Sequence, residues 1–462
     1  MIAELKPYAE YKESGLPWLG QVPGHWEASR VKNLARPGYK TFVDGDWIES
    51  PFIRESGVRL IQTGNIGIGL YREKGFRYID EATFQSFGCT DFQVGDVLIC
   101  RLGDPVGRAC LAPKLGVRMI TSVDVCILKT RHDVVPAFVV YVMSAPQYLH
   151  WVGSLVRGST RDRVSRSMLG GFMVILPPPA EQAAIVRFLD WANGRLERAI
   201  RAKRKVIALL GEQKQAIIHR AVTRGLDPSV PLKPSGIPWL GDIPQHWEVR
   251  RAKYLFREVD DRSANGSEEL LSVSHLTGVT PRSQKNITMF KAASYAGHKL
   301  CCPGDLVINT MWAWMGALGV STHAGIISPA YAVYRPRKTE SIVGVFMDGL
   351  LRSRPYVSNI ICRSTGLRAS RLRLYPEEFF RLPIIHPPAD EQQRIVESIQ
   401  IETAELNTAI SRLERDIDLL REYRTRLVAD VVTGKLDVRE AALRLPDEAP
   451  PDADASDEDT VP

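Results

Sequence analysis

The chain repeats itself at a distance far longer than the period of a solenoid. Residues Lys12 to Leu34 read KESGLPWLGQVPGHWEASRVKNL, and residues Lys233 to Leu255 read KPSGIPWLGDIPQHWEVRRAKYL, with 14 of 23 positions identical. Solenoid repeats are roughly 20–50 residues long, whereas these copies lie 221 residues apart. One whole module was therefore duplicated, and we expect two equivalent sites in one molecule.

Two further echoes mark the end of each module. Pro177–Val186 reads PPPAEQAAIV and Pro387–Val396 reads PPADEQQRIV, at an offset of 210 residues. Val222–Asp227 (VTRGLD) and Val432–Asp437 (VTGKLD) repeat at the same offset. The module therefore includes both the segment that follows the first echo and a second segment that begins at the prolines.

Composition indicates a globular protein of several domains. The chain has 462 residues, of which 44% are apolar and 24% charged, and this length corresponds to two to four domains with ample core. We find no apolar run long enough to span a membrane and no signal-peptide pattern. The 7 cysteines show no CxxC spacing, so we expect reduced thiols and a cytoplasmic protein without membrane contact.

The net charge hides an asymmetry between the body and the end of the chain. Residues 446–462 contain seven acids and no Lys or Arg, so residues 1–445 carry a net charge of +14. We expect the tail, rich in Pro, Asp and Glu, to be disordered. A basic body favours a polyanionic partner, although many basic proteins have none.

Each module begins with a mixed segment. Short β-branched runs bounded by turn residues, such as Gly95–Ile99 and Gly304–Ile308, predict strands in both copies. A helical stretch follows in each copy, over Ala137–Val152 and Ser341–Ile361. The pattern predicts an α+β fold.

After the prolines the hydrophobic period changes to heptads in both modules. The predicted core positions are Leu189, Leu196, Ile200, Leu210, Ile217, Ile399, Leu406, Leu413, Leu420 and Leu427. One such stripe could pack against its own domain, but two in the same register, each spanning about 60 Å, favour a coiled coil of the two helices. Polar Asn193 and Lys203 make the first helix less regular, and Gly225 and Gly434 lie where the helices should end.

No catalytic motif emerges from the sequence. The sequence lacks GxxxxGK[ST], HExxH and [ND]PP[YF], and Gly64–Gly69 lacks the partners of a phosphate loop, so it is read as a turn. His25 and His246 recur only within the Pro/Trp-rich echo, where structural histidines are expected. The echo itself predicts a rigid strap whose indoles pack in apolar pockets, or a docking surface for a partner protein.

Arginine and hydroxyl residues cluster just before each proline pair, in a first basic segment (157–166) and a second basic segment (363–373). Guanidinium groups and hydroxyls suit phosphate and base-edge recognition, whereas a solvated charged face is the alternative. Including one arginine after a paired Gly-Asp strand, the candidates are Arg101, Arg157, Ser159, Thr160, Arg161, Arg163, Arg166, Arg363, Ser364, Thr365, Arg368 and Arg371. Weaker candidates after the same strands are Arg108, Asn309, Trp312 and Trp314.

With its paired PWLGxxPxHWE echoes and proline-led heptad helices, the chain resembles the specificity subunit of type I restriction–modification systems over about residues 12–437. The resemblance implies two target recognition domains, 1–176 and 225–384, and two antiparallel spacer helices, 177–224 and 385–436, with 437–462 as the acidic tail. Gly158, Ser159, Thr160 and Arg161 match a family segment closely, whereas the second copy has Ser364, Thr365 and Gly366 in another order.

The resemblance also implies function and partners. Each recognition domain would read one half of a bipartite double-stranded DNA target, and the differences between the two domains imply an asymmetric target. The chain would be non-catalytic and bind no cofactor or metal. Two modification subunits would supply S-adenosylmethionine-dependent adenine methylation, and restriction subunits would supply ATP- and Mg-dependent translocation and cleavage. The alternative is a coiled-coil scaffold that bridges proteins, with incidental basic surfaces.

Overall fold

The computed structural model describes residues 5–156, 162–284, 294–366 and 372–446. The chain divides into two compact units. Unit one contains Met1–Ala202 and Arg415–Pro462, and unit two contains Lys203–Glu414. Each unit therefore combines a mixed segment with parts of both heptad segments.

The mixed segment of unit one is built from short strands and helices. Its strands are β1 (Tyr11–Leu16), β2 (Leu19–Pro23), β3 (Glu27–Arg30), β4 (Phe42–Asp44), β5 (Val58–Ile61), β6 (Tyr78–Ile79), β7 (Asp91–Phe92), β8 (Val97–Cys100), β9 (Ala109–Leu111), β10 (Met119–Thr121), β11 (Val125–Leu128) and β12 (Met173–Leu176). Its helices are α1 (Glu81–Phe87), α2 (Pro136–Met143), α3 (Pro146–Leu155) and α4 (Arg166–Gly171), with 3-10 turns at Val31–Leu34, Ser50–Phe52 and Thr63–Asn65.

A long helix, α5 (Pro179–Arg224), follows the first proline pair. Proline suits the first turn of a helix because its missing N–H would have no partner there. The helix ends before Gly225, whose φ of +74° lies in the left-handed region that favours glycine.

Unit two repeats the mixed pattern. Its strands are β13 (Leu232–Pro234), β14 (Asp242–Pro244), β15 (Glu248–Arg251), β16 (Phe256–Val259), β17 (Leu271–Ser274), β18 (Gly278–Pro281), β19 (Lys299–Cys301), β20 (Leu306–Ile308), β21 (Leu318–Val320), β22 (Gly325–Ile327), β23 (Ala332–Pro336) and β24 (Pro383–His386). Its shorter helices are α6 (Ala252–Leu255), α7 (Gly344–Leu351), α8 (Arg354–Arg363) and α9 (Pro376–Arg381), with 3-10 turns at Arg282–Gln284, Ala313–Met315 and Thr339–Ser341.

The second long helix, α10 (Ala389–Val432), follows the second proline pair, and a short helix, α11 (Arg439–Leu443), comes after it. Ala442 and Leu445 are buried in the core of unit one. The first part of the segment 437–462, which was predicted to be an acidic tail, is therefore folded, because Ala442 and Leu445 pack in this core. Residues 447–462 lie outside the described ranges.

The duplication is visible in the strand order of the two units. Unit one contains the sheet β4-β11-β8-β9, and unit two contains the sheet β16-β23-β20-β21. In unit one β3 pairs antiparallel with β12, and in unit two β15 pairs antiparallel with β24. The predicted α+β fold with internal duplication is confirmed.

The two echoes, 12–34 and 233–255, are called the straps. The pairing of β3 with β12 brings the first strap to the start of α5, and the pairing of β15 with β24 brings the second strap to the start of the second long helix. Glu27, directly after Trp26, lies opposite Leu176, three residues before α5. In unit two, Glu248 lies opposite His386 in the same way. Trp26 and Trp247 are fully buried, so the strap is a packing element, as the more conservative interpretation of the echo predicted.

The long helices pack antiparallel within each unit. In unit two, Lys214 Nζ donates to Asn407 Oδ1 at 2.8 Å, and Arg220 pairs with Glu402 at 3.6 Å, so rising numbers on α5 meet falling numbers on α10. In unit one, Arg424 of α10 pairs with Glu197 of α5. The predicted antiparallel arrangement is confirmed.

The predicted heptad core divides into two classes of burial. Leu189, Leu196, Ile200 and Leu427 are buried. The others are half-buried: Leu210, Ile217, Ile399, Leu406, Leu413 and Leu420. Leu189 and Leu427 belong to the hydrophobic core that the mixed segment of unit one also forms, whereas two helices alone cover only one side of a stripe. Within the described residues, no helix combines the length and apolarity needed to cross a membrane.

Candidate nucleic-acid interface

The described end of the first basic segment lies beside the residues that follow β8. Gly103 N donates to the Asp162 carbonyl at 2.9 Å, and Val164 N donates to the Arg101 carbonyl at 3.0 Å. Leu102 and Arg163 form an isolated antiparallel bridge. The end of the first basic segment is therefore fixed to the strand, although residues 157–161 are outside the described ranges.

Arg101 is the anchor of this arrangement. Its side chain is only 4% exposed, and its Nε lies 2.8 Å from Asp44 Oδ1. Its guanidinium also donates to the Val164 carbonyl at 2.8 Å and to the Val123 carbonyl at 2.7 Å. Arg101 was predicted among the DNA contacts, but its side chain is buried and does not reach the surface. Its role is to hold the segment that follows.

Two other predicted arginines remain at the surface. The Arg163 side chain is 53% exposed and pairs with Asp124 at 2.8 Å. Arg166 is exposed at the first position of α4, where Ser165 Oγ caps the helix by accepting from Met168 N at 3.1 Å. Both cations are therefore exposed in the described part of the first basic segment.

The second basic segment leaves unit two at the equivalent place. Thr365 and Arg373 exchange two backbone hydrogen bonds of 2.9 Å, which close the neck of the segment. Leu374 N donates to the Thr310 carbonyl at 3.0 Å. Thr310 comes just after β20, as Arg101 comes just after β8. Folding therefore brings both segments to the same edge of their sheets.

Two residues of the second segment are used inside the domain. Arg363 donates to Asn359 Oδ1 at 2.7 Å and to Glu378 Oε2 at 3.3 Å. Ser364 is buried, and its Oγ donates to the Ile360 carbonyl at 2.8 Å. Ser364 thus stabilises the end of α8 and is not positioned to contact DNA, contrary to the expectation from sequence. Thr365 is exposed.

Six of the predicted contacts lie outside the described residues and stay predictions: Arg157, Ser159, Thr160, Arg161, Arg368 and Arg371. The hydrogen-bonded residues at the described edges of these gaps form the first neck, 101–103 with 162–164, and the second neck, Thr365 with Arg373.

A second loop lies beside each neck. In unit one it is 102–107, and Arg108 ties it to the domain by donating to the carbonyls of Pro105 at 2.7 Å, Ile66 at 2.7 Å and Thr63 at 3.0 Å. In unit two the equivalent loop is 309–316, where Trp314 Nε1 donates to the Met311 carbonyl at 3.0 Å. Arg108 and Trp314 therefore fix loops, whereas Trp312 is 45% exposed.

Two acids that position Arg101 and Arg163 were not predicted from the sequence. Asp44 and Asp124 flank Arg101, and Asp124 also pairs with Arg163. Neither acid belongs to a repeated motif, and Asp44 lies 57 residues before Arg101. Such a partner is defined only by the tertiary fold, so the sequence carried no signal for it.

No protein-family model matches this sequence. A solved chain, from work on the structural basis of complex assembly and conformational transition of the type I restriction–modification system, aligns with a TM-score of 0.56. Its identity is 16%, and the alignment covers 90% of this chain and 99% of that chain. This chain shares the fold of that type I restriction–modification chain. The resemblance predicted from the echoes is confirmed at the level of the fold.

Two other solved structures align with this chain over most of its length. The HsdS subunit from Thermoanaerobacter tengcongensis is 17% identical, with 90% and 98% of the two chains covered and a TM-score of 0.41. The type I S subunit from M. genitalium is 13% identical, with 88% and 96% covered and a TM-score of 0.33. Because identity is low throughout, residue roles within the type I fold are assigned from this chain's own contacts.

Proposed function

We propose that this chain is the sequence-specific DNA-binding specificity subunit of a type I restriction–modification complex. The observation that carries the proposal is that both units contain an arginine-rich segment at the equivalent place. In each unit, described residues of this segment or next to it are hydrogen-bonded to residues just after the strand that follows a Gly-Asp turn. Arginines and hydroxyls occur together in both segments although the sequences around them differ between the two units, which favours a shared binding role over a solvated charged face. The shared type I fold supports the same conclusion.

The two basic segments would act on DNA through their exposed cations and hydroxyls. Within the first segment, Arg163 and Arg166 suit phosphate contacts. Arg161 and Arg368 suit bidentate contacts to guanine or phosphate. Thr365 presents a hydroxyl at the second neck. Phosphate contacts would set affinity and register, while contacts to base edges would set sequence.

The two recognition domains, 1–176 and 225–384, would read different half-sites. The loop beside the first neck (102–107) reads LGDPVG, and the loop beside the second neck (309–316) reads NTMWAWMG. Equivalent scaffolds with different surfaces read different bases, so the target is bipartite and asymmetric. The spacer helices would connect the two recognition domains, so that one chain contacts both half-sites.

In this proposal the chain itself performs no catalysis and binds no cofactor. Two modification subunits bring S-adenosylmethionine and methylate adenine, and restriction subunits bring ATP- and Mg-dependent cleavage. The specificity chain directs them to their target in the cytoplasm. Its own contribution is therefore measurable as DNA selection.

The test is a binding selection with the full-length chain assembled with its modification subunits. A duplex library with a randomised core is incubated with the complex, and bound DNA is sequenced. We expect enrichment of two unrelated short motifs at a fixed separation. Affinity for the enriched duplex should then fall steeply with salt, because several phosphates are neutralised.

A protein-bridging scaffold with incidental basic surfaces gives a different result. It would bind the library weakly through charge alone and enrich no motif. Binding without enrichment over a range of salt concentrations would therefore reject the specificity-subunit proposal.

A further inference from the structure

Two of the 9 tryptophans have strongly exposed side chains. Trp47 in unit one is 70% exposed, and Trp312 in unit two is 45% exposed. Tryptophan buries a large apolar area when it packs, and exposed indoles are enriched where proteins bind partners. Trp312 is of particular interest because its loop adjoins the neck of the second basic segment.

The backbone of the Trp312 loop is tightly folded. Trp312 N donates to the Asn309 carbonyl at 2.9 Å. The Trp312 carbonyl accepts from Met315 N at 3.0 Å and from Ala317 N at 3.2 Å. Gly316 completes the turn with a φ of +84°, a conformation that favours glycine. The indole is therefore presented from a fixed backbone.

Side chains anchor the start of the same loop. Asn309 Nδ2 donates to the Tyr331 hydroxyl at 3.1 Å, and Thr310 Oγ1 donates to the Ala330 carbonyl at 2.9 Å. Burial raises the pKa of Tyr331, which keeps the phenol protonated. A loop that is fixed before binding loses little conformational entropy when it meets a ligand.

The loop and the basic segment share one strand end. Thr310, two residues before Trp312, accepts the backbone bond from Leu374 at 3.0 Å. Leu374 follows Arg373, which closes the neck with Thr365. An apolar surface and an arginine-rich segment thus lie side by side, and DNA held by the segment would meet the indole.

The partial burial of Trp312 limits what it can do. A side chain that wedges between base pairs has to project fully into the duplex, whereas about half of this indole is already covered by the protein. Such an indole offers an apolar face at the surface. In the major groove, the apolar feature of a base pair is the thymine 5-methyl group.

We propose that Trp312 contacts the 5-methyl group of a thymine in the second half-site. This inference rests on the proposed DNA-reading function and names one specificity-determining residue within it. The loop of unit one at 102–107 has no aromatic residue. The thymine preference set by this loop is therefore confined to the half-site that unit two reads.

The experiment compares the wild-type complex with Trp312→Ala and Trp47→Ala in the same randomised-library selection. Trp312→Ala should lose the preference for a thymine at one position of one half-site and keep the other half-site unchanged. Trp47→Ala removes an even more exposed indole from unit one, and it should leave the second half-site unaltered. Selection retained at the other positions of the second half-site shows that unit two of the Trp312→Ala chain is folded.

A second measurement isolates the methyl group. Replacing the assigned thymine by uracil deletes one methyl, and wild-type binding should weaken about fourfold, as expected for one apolar carbon removed from water. Trp312→Ala should bind the thymine and uracil duplexes equally. This double comparison separates the methyl contact from any general loss of affinity.

The outcomes distinguish the inference from the function it rests on. If the wild-type complex enriches no motif, the proposed function fails. If it enriches a bipartite motif that Trp312→Ala also enriches unchanged, the assignment of Trp312 is overturned. The methyl contact is overturned if the position whose preference changes in Trp312→Ala has no thymine on either strand. It is also overturned if Trp312→Ala still binds the uracil duplex more weakly than the thymine duplex.

Discussion

Gly434, just after α10, lies against Trp26, so that a Cβ at this glycine would be 3.2 Å from the indole Cη2. The corresponding contact in unit two joins Gly225, just after α5, to Trp247, with a Cβ at 3.4 Å from Cζ2. The strap of each module therefore packs on the end of the heptad helix that belongs to the other module. This exchange explains why each compact unit contains parts of both long helices.

Replacement of the two glycines should have unequal effects. Both have positive φ, +76° at Gly434 and +74° at Gly225, so alanine would cost roughly 1–2 kcal/mol at either site. At Gly434 the new Cβ would also be 2.3 Å from Pro23 Cδ, which forces the strap to move. In thermal unfolding of the full chain, Gly434→Ala should therefore lower the Tm more than Gly225→Ala, and equal shifts would contradict this packing.

Glu181 supports a prediction about the start of α5. Its carboxylate accepts from Trp26 Nε1 at 2.9 Å and from Tyr8 Oη at 2.6 Å, and it lies 2.7 Å from His25 Nε2. Burial, followed by the bond to Glu181, raises the pKa of Tyr8, so the phenol stays a donor. Glu181→Ala leaves these groups without their acceptor, at about 1–3 kcal/mol for each buried donor.

Glu391 is the matched comparison for Glu181. It accepts from Trp247 Nε1 at 3.0 Å and lies 2.6 Å from His246 Nε2. Its side chain is 16% exposed, against 6% for Glu181. Calorimetry of the full chain should therefore show a larger loss of stability for Glu181→Ala than for Glu391→Ala, with Glu181→Gln in between. A larger effect at Glu391 would refute the ranking.

The sequence predicted the repeated parts of the molecule well, because they depend on local patterns. Prolines and heptads located both long helices, and the paired echoes located the straps. It did not predict which way Arg101 and Ser364 face. That depends on partners such as Asp44 and the Ile360 carbonyl, which only the tertiary fold brings within reach. Composition alone cannot separate an exposed arginine, which is a candidate DNA contact, from a buried arginine that fixes a neighbouring segment.

Arg101 and Arg163 should therefore behave differently when replaced. Arg101→Ala removes a buried guanidinium, leaves the partly exposed Asp44 without its cation, and leaves the Val164 and Val123 carbonyls without their donor. It also frees the end of the first basic segment, so it should lower stability by about 3 kcal/mol. It should also weaken recognition of the first half-site only. Arg163→Ala removes a half-exposed cation and should reduce affinity with little loss of stability. Thermal unfolding and half-site binding, measured on both variants, test the distinction.

Arg161 and Arg368 test whether the basic segments read bases. If each guanidinium is bidentate to guanine, alanine should cost about 1–3 kcal/mol and relax one half-site only. If each touches only phosphate, affinity should fall for all sequences alike, with a shallower salt slope. Arg54→Ala, which removes an exposed cation paired with Asp80 elsewhere in unit one, is the charge-matched control. If Arg161→Ala and Arg368→Ala both leave affinity and specificity unchanged, the basic segments are solvated charged surfaces and do not contact DNA.

The exchange of helix ends also predicts how a half-length chain assembles. Residues 1–225 keep the first strap and α5 but lose Leu427 and Val431, which are buried in the core of unit one, and Gly434, which covers Trp26. The end of α5 carries the equivalent VTRG sequence, so the α5 helix of a second copy can take the place of α10. The fragment should therefore form an antiparallel homodimer.

The complementary fragment, 226–462, should dimerise more tightly. Its heptad row Ile399, Leu406, Leu413, Leu420 and Leu427 is apolar throughout, whereas α5 places Lys203 at the corresponding core position. In a homodimer of 1–225 this lysine would lie in the seam twice, and a polar residue there lowers stability. Sedimentation equilibrium of both fragments measures the two dissociation constants. Two monomeric fragments would contradict the exchange of helix ends, and a tighter dimer of 1–225 would show that Lys203 does not weaken the seam.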